Sequence, residues 1–106
     1  INDRELLSGL AKTLNLPVIL VVGLRLGCLN SAVLSAEAIL RDGLTLAGWV
    51  GNHLDEHWEY ADDNIATLHT LMPAPCLGIL PWEPLATGAD RARYLHLMPL
   101  ALPVRA

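Results

Sequence analysis

Residues 17–40 read PVILVVGLRLGCLNSAVLSAEAIL. The apolar run after Pro17 is rich in β-branched Val18, Ile19, Val21 and Val22, which suits a strand buried on both faces, as in parallel sheets. Gly23 ends it. The turn LRLGCLN then leads into an Ala/Leu-rich segment, and the expectation is a helix from about Ser31 to Asp42 with Asn30 as its N-cap. Backbone N–H groups at such a helix start point into the space beyond the strand's carboxyl end. Open α/β sheets hold their ligands there.

The other segments extend this pattern. Asn2 and Glu5 fit a capping box, and Leu6, Leu7, Leu10 and Leu14 recur at helical spacing, predicting a helix over 2–15 closed by Asn15, Leu16 and Pro17. Gly43 suits the left-handed position after the second helix. Leu44–Val50 predicts the next strand, followed by a polar loop, GNHLDEHWEY. A helix is expected over 62–71, with Asp62 and Asp63 at its positive end and Ile65, Leu68, Leu71 and Met72 on one face. Cys76–Leu80 predicts a third strand, ending in Pro81-Trp82, and 90–98 a last helix. Such alternation implies right-handed βαβ crossovers and a parallel sheet. Three strands with flanking helices are too few for a finished doubly wound sheet. Residues 1–106 are therefore expected to form a single partial domain, half of an α/β unit.

The 106 residues are 53% hydrophobic, rich for a small domain, so something beyond them is expected to cover part of the surface. A net charge of −4 with Lys12 as the one lysine argues against a nucleic-acid partner. Cys28 and Cys76 have neither disulfide-framework nor zinc spacing. Asp3, Arg4 and Glu5 stand where a signal peptide would be apolar, and Arg25 interrupts the longest apolar run, so a cytoplasmic protein with no membrane partner is expected. The first residue is Ile rather than Met, which suggests a piece of something longer or a processed product.

Neither G-x-x-x-x-G-K-[ST], G-x-G-x-x-G nor G-x-S-x-G occurs in these 106 residues. Four segments in order do carry a resemblance: residues 17–39, LAGWVGN at 46–52, NIATL at 64–68 and MPAPCLGILPW at 72–82. They resemble the carboxyl-terminal half of the dethiobiotin synthetases. Those ATP-dependent ligases of biotin biosynthesis close a ureido ring on 7,8-diaminononanoate with CO2. The resemblance runs from about Pro17 to Tyr94. It implies a P-loop-type fold, a homodimer, ATP with Mg2+, and reaction through a carbamate that ATP phosphorylates before the second amine closes the ring. In such enzymes the phosphate loop, lysines and magnesium ligands lie in the amino-terminal half, so this chain alone is expected to be inactive.

What carries over is the base pocket and the interface. Asn52 stands where the family's Asn reads the adenine edge, a task suited to an amide that is both donor and acceptor. His53 follows in the same turn, and Pro81, Trp82 and Glu83 correspond to the segment beside the base. Glu83 departs from the family, where an apolar residue is common. The family's later acidic residue has no clear counterpart in LATGADRA. The LGCLN turn resembles the interface segment that holds the substrate's tail carboxylate from the neighbouring subunit, which makes Cys28 and Asn30 candidate substrate binders. Ser31 replaces the family's usual His.

Other readings stay open. Asn52 fits an ordinary loop position and Trp82 a packing role. Cys28 near a helix start fits a nucleophile, though no catalytic partner is identifiable. His53 and His57, four apart among Asp55, Glu56 and Glu59, would suit a metal if helical, against a solvated acidic face. His69 and His96 read as helix-surface residues. Functionally, a related ATP-dependent amide ligase or deviant-P-loop ATPase, and a non-catalytic remnant or interaction module, remain the alternatives.

Overall fold

The computed structural model describes residues 9–96. Residues 9–13 are helical, and the turn closes as expected: Asn15 takes φ 55°, and Leu16 N–H reaches back to the Ala11 carbonyl at 2.9 Å. The expected capping box at Asn2 and Glu5 lies outside the described residues. Leu10, Leu14 and Leu16 are each about half exposed.

Three strands follow, β1 (Val18–Leu24), β2 (Leu46–His53) and β3 (Cys76–Leu80). They form one parallel sheet in the order β1-β2-β3. Helices α1 (Cys28–Arg41) and α2 (Ala61–Leu71) make the crossovers. Both crossovers step in the same direction across the sheet, so α1 and α2 share one face and pack on each other. The core lies between that face and the helices: Val22 and Leu24 of β1, Trp49 of β2, Cys28, Ala32 and Ala36 of α1, and Leu68 and Met72 at α2. His69 meets the Trp49 ring edge-on at 5.3 Å. A short helix, α3 (Gly88–Ala92), follows β3.

Several expectations change. The first helix of the βαβ units begins at Cys28, not Ser31, because Gly27 is its N-cap at φ 87° and makes no side-chain cap bond. A residue with a Cβ is strained at that φ. Asn30 therefore lies inside the first turn, exposed, and caps nothing. Gly43 does take the expected left-handed conformation, φ 79°. The second strand starts two residues later than expected and runs on through Asn52 and His53, because Gly23 and Leu24 on one side and Leu80 on the other continue the ladder there.

β1 is not covered on both faces among the described residues: Ile19 is 42% and Val21 59% exposed, alternating with Val22 and Leu24. Leu71, expected on the buried face of α2, is half exposed, while Leu68 and Met72 are buried. The last helix spans Gly88–Ala92 rather than starting at Asp90, because Thr87 and Asp90 form a reciprocal capping box. It stops early because Leu95 pairs antiparallel with Gly78, and His96 N–H bonds the Leu77 carbonyl. Residues 97 and 98 of that expected helix lie outside the described residues. No helix among the described residues is long and apolar enough to cross a membrane.

Candidate functional site

Parallel pairing aligns the carboxyl ends of all three strands, and the candidate residues gather there. Asn52 on the central strand pairs with Gly23 of β1 and Leu80 of β3. Pro81 follows Leu80 directly, so Asn52 and the Pro81–Glu83 turn stand on neighbouring strand ends. The LGCLN turn leaves the end of β1 on the other flank and opens α1. Segments far apart in sequence are thus brought to one edge of the sheet, the ligand side of open α/β folds.

Alternation along β2 separates Asn52 from His53. Successive strand side chains leave opposite faces, so Asn52 shares a face with Val50 and with its partner Gly23, while His53 shares one with Trp49. His53 lines a cavity of about 660 Å3 with Trp58, Tyr60 and Asp62 at the start of α2. The expected single turn carrying both side chains is therefore corrected: their backbones are adjacent and their side chains diverge. Asn52 lies on the face whose neighbouring strand, β1, presents the exposed Ile19 and Val21.

The Pro81–Glu83 turn is held from behind. Trp82 is partly exposed rather than packed into the core. The Glu83 carbonyl accepts from Ala86 N–H at 3.0 Å and from Arg91 Nη2 at 3.2 Å. Its carboxylate oxygen Oε1 accepts from the Tyr94 hydroxyl at 2.8 Å. Arg91 and Tyr94 were not legible as site residues, since the contacts depend on how the loop closes.

At the β1 end, Cys28 is 3% exposed. Its thiol faces the Asn64 side-chain oxygen at 3.7 Å, and its N–H bonds the Arg25 carbonyl at 3.0 Å. Cys28 thus packs with the core cluster, and it also borders the cavity beside the turn. What the turn offers is the exposed Asn30 with the N–H groups of Leu29 and Asn30, which precede the first bond across the cap, Ser31 N–H to Gly27 O at 3.2 Å. A cavity of about 370 Å3 lies alongside, lined by Val21, Gly23, Arg25, Ser31, Ser35 and Leu54 among others. Arg25 and the two serines suit an anionic or polar group, a signal present in the sequence but hidden until α1 turned them to one side.

His53 ends a strand and His57 lies on an exposed loop, 3.9 Å from Glu56. The helical spacing that a two-histidine metal site would need is absent. Among the described residues no group of three His, Cys, Asp or Glu side chains is placed to hold a metal ion. His69 is a helix-surface residue as expected, and His96 lies in the extended segment paired with β3.

The amino-acid sequence is matched by relatives. Residues 1–90 fit a family model described as an AAA domain. An ATP-dependent dethiobiotin synthetase from Pseudomonas aeruginosa is 55% identical over 102 residues, covering 96% of this chain and 45% of the relative. The chain belongs to the dethiobiotin synthetase family of AAA-domain proteins. Proteins with the same description from Cellvibrio japonicus and Chromohalobacter salexigens are 49% and 59% identical, covering 94% and 87% of this chain and 44% and 42% of their own lengths. This chain spans less than half the length of these dethiobiotin synthetases and aligns with their carboxyl-terminal part. Its sheet is accordingly a fragment of a P-loop-type α/β fold.

Proposed function

We propose that these 106 residues form the carboxyl-terminal half of an ATP-dependent dethiobiotin synthetase, the cytoplasmic ligase that makes dethiobiotin from 7,8-diaminononanoate and CO2. In this reading the chain supplies the adenine pocket and the homodimer interface. The phosphate loop and magnesium ligands belong to the amino-terminal half. The reading rests above all on one observation: Asn52 and Pro81 stand side by side at the carboxyl ends of adjacent parallel strands. The Asn52 amide pairs with the adenine edge, Pro81 and Trp82 border the ring, and Glu83 closes the turn. His53 flanks the pocket from the other face of β2. Asn30 and the free N–H groups of the LGCLN turn receive the substrate's tail carboxylate, favoured by the positive end of α1. Cys28 sits beneath that turn, bordering the cavity that Arg25, Ser31 and Ser35 also line.

The test is an exchange enzyme: the P. aeruginosa relative with its carboxyl-terminal segment replaced by this chain. Nucleotide binding by this enzyme, weakened by Asn52→Ala and by Trp82→Ala, supports the pocket. Unchanged nucleotide affinity in both variants overturns it and leaves a non-catalytic interaction module as the reading. Turnover of a different amine or acid, with 7,8-diaminononanoate refused, would favour a related amide ligase.

A further inference from the structure

We propose that Tyr94 and Arg91 are positioning residues for the Pro81–Glu83 turn, Tyr94 setting the Glu83 carboxylate and Arg91 the backbone behind it. The inference rests on the base-pocket reading above and adds two residues that neither the sequence motifs nor the relatives' descriptions single out.

The turn is short of its own means of support. Pro81 and Pro84 flank Trp82 and Glu83 and donate no N–H, so a backbone ladder cannot tie it down. Besides the one local bond from Ala86 N–H to the Glu83 carbonyl, its anchors come from eight and eleven residues later: Arg91 Nη2 on the Glu83 carbonyl at 3.2 Å, and Tyr94 O–H on Glu83 Oε1 at 2.8 Å. Tyr94 is fixed on its own account. Arg93 Nη2 donates to the Tyr94 oxygen at 3.1 Å, and its guanidinium lies 5.1 Å from the ring centroid. Accepting from a cation while donating to a carboxylate polarises the hydroxyl toward Glu83. The next residue, Leu95, is bridged to Gly78 of β3. A continuous mechanical line therefore runs from the sheet through Tyr94 to the side chain in the turn.

General stability is a poor explanation for this segment. None of the residues of α3 is buried, so it adds little to the core; Asp90 closes its own capping box with Thr87, while Arg91 reaches out to Glu83.

In the exchange enzyme, Tyr94→Phe keeps the ring and removes only the hydroxyl. Loss of one hydrogen bond to a charged acceptor is expected to raise KM for ATP about three- to ten-fold, with kcat and KM for 7,8-diaminononanoate unchanged. Adding Tyr94→Phe to Glu83→Ala is expected to change nothing further, because the hydroxyl acts through that carboxylate. An unaltered KM for ATP in Tyr94→Phe, in an enzyme where Asn52→Ala raises it, overturns the positioning role and leaves the pocket standing. Additive effects in the double variant, or equal losses in kcat and thermal stability, overturn it as well. No effect from Asn52→Ala, Trp82→Ala or Tyr94→Phe overturns the pocket itself.

Discussion

Asn52 on β2 is the register partner of Leu80 on β3, and Pro81 leaves the sheet at the very next residue. A single pairing thus joins two motifs 29 positions apart into one surface. The amide stands on the sheet face at the strand end, beside a turn that carries an indole and a carboxylate.

Replacement of Asn52 by Ala removes a donor and an acceptor together. In the exchange enzyme KM for ATP is expected to rise about ten-fold or more, with little change in kcat, since hydrogen bonds to the base are equally present in ground and transition states. Steady-state kinetics at varied ATP checks this.

The core makes an independent prediction. Leu68 of α2 is fully buried against Trp49 and α1, so Leu68→Ala is expected to cost about 2–5 kcal/mol through lost contacts and a residual cavity. Leu85, almost fully exposed, is the control, with Leu85→Ala within about 0.5 kcal/mol of the parent. Denaturant melts of both variants in the exchange enzyme give the comparison.

Gly78 is required for a different reason. A Cβ there would overlap the Tyr94 carbonyl oxygen, where the chain returns to pair with β3. Gly78→Ala is expected to cost about 1–3 kcal/mol by overpacking, and to expose the 93–96 segment. Faster amide exchange at Leu95 and His96 in the variant is the readout.

These contacts also show which parts of the fold were legible. The third strand lies where its apolar run ended, at Leu80 before Pro81, and Gly43 caps the helix it was expected to cap, because both signals are local. The start of α1 was misread since a left-handed glycine cap carries no side-chain hydrogen bond, while Asn30 looks like a better cap. Asn52 and His53 looked like loop residues because they are polar; the ladder that makes them strand is supplied by Leu24 and Leu80, distant in sequence. The end of α3 and the Tyr94–Glu83 contact were likewise hidden, being set by loop closure rather than by any nearby pattern. Asn52, Pro81 and Trp82 were singled out by motif alone, and their proximity needed the sheet.

Acid should loosen the turn after β3. Asp90 is held below the usual aspartate range chiefly by hydrogen bonds with the Thr87 backbone and side chain. A folded-state value lowered in this way means stability that is fully present above the ordinary aspartate range. It is lost as pH falls through the lowered value. The helical signal of 88–92 is therefore expected to fade only at strongly acidic pH, and Thr87→Ala should move that loss to higher pH. Carboxyl chemical shifts followed by NMR across an acid titration would show it.

The most direct test of the central claim is dethiobiotin formation by the exchange enzyme supplied with ATP, 7,8-diaminononanoate and CO2, beside the isolated chain. The account predicts ATP-dependent product from the exchange enzyme, and neither product nor ATP hydrolysis from the chain alone. A folded exchange enzyme that binds no ATP and makes no dethiobiotin, or an isolated chain that makes it unaided, would contradict the account.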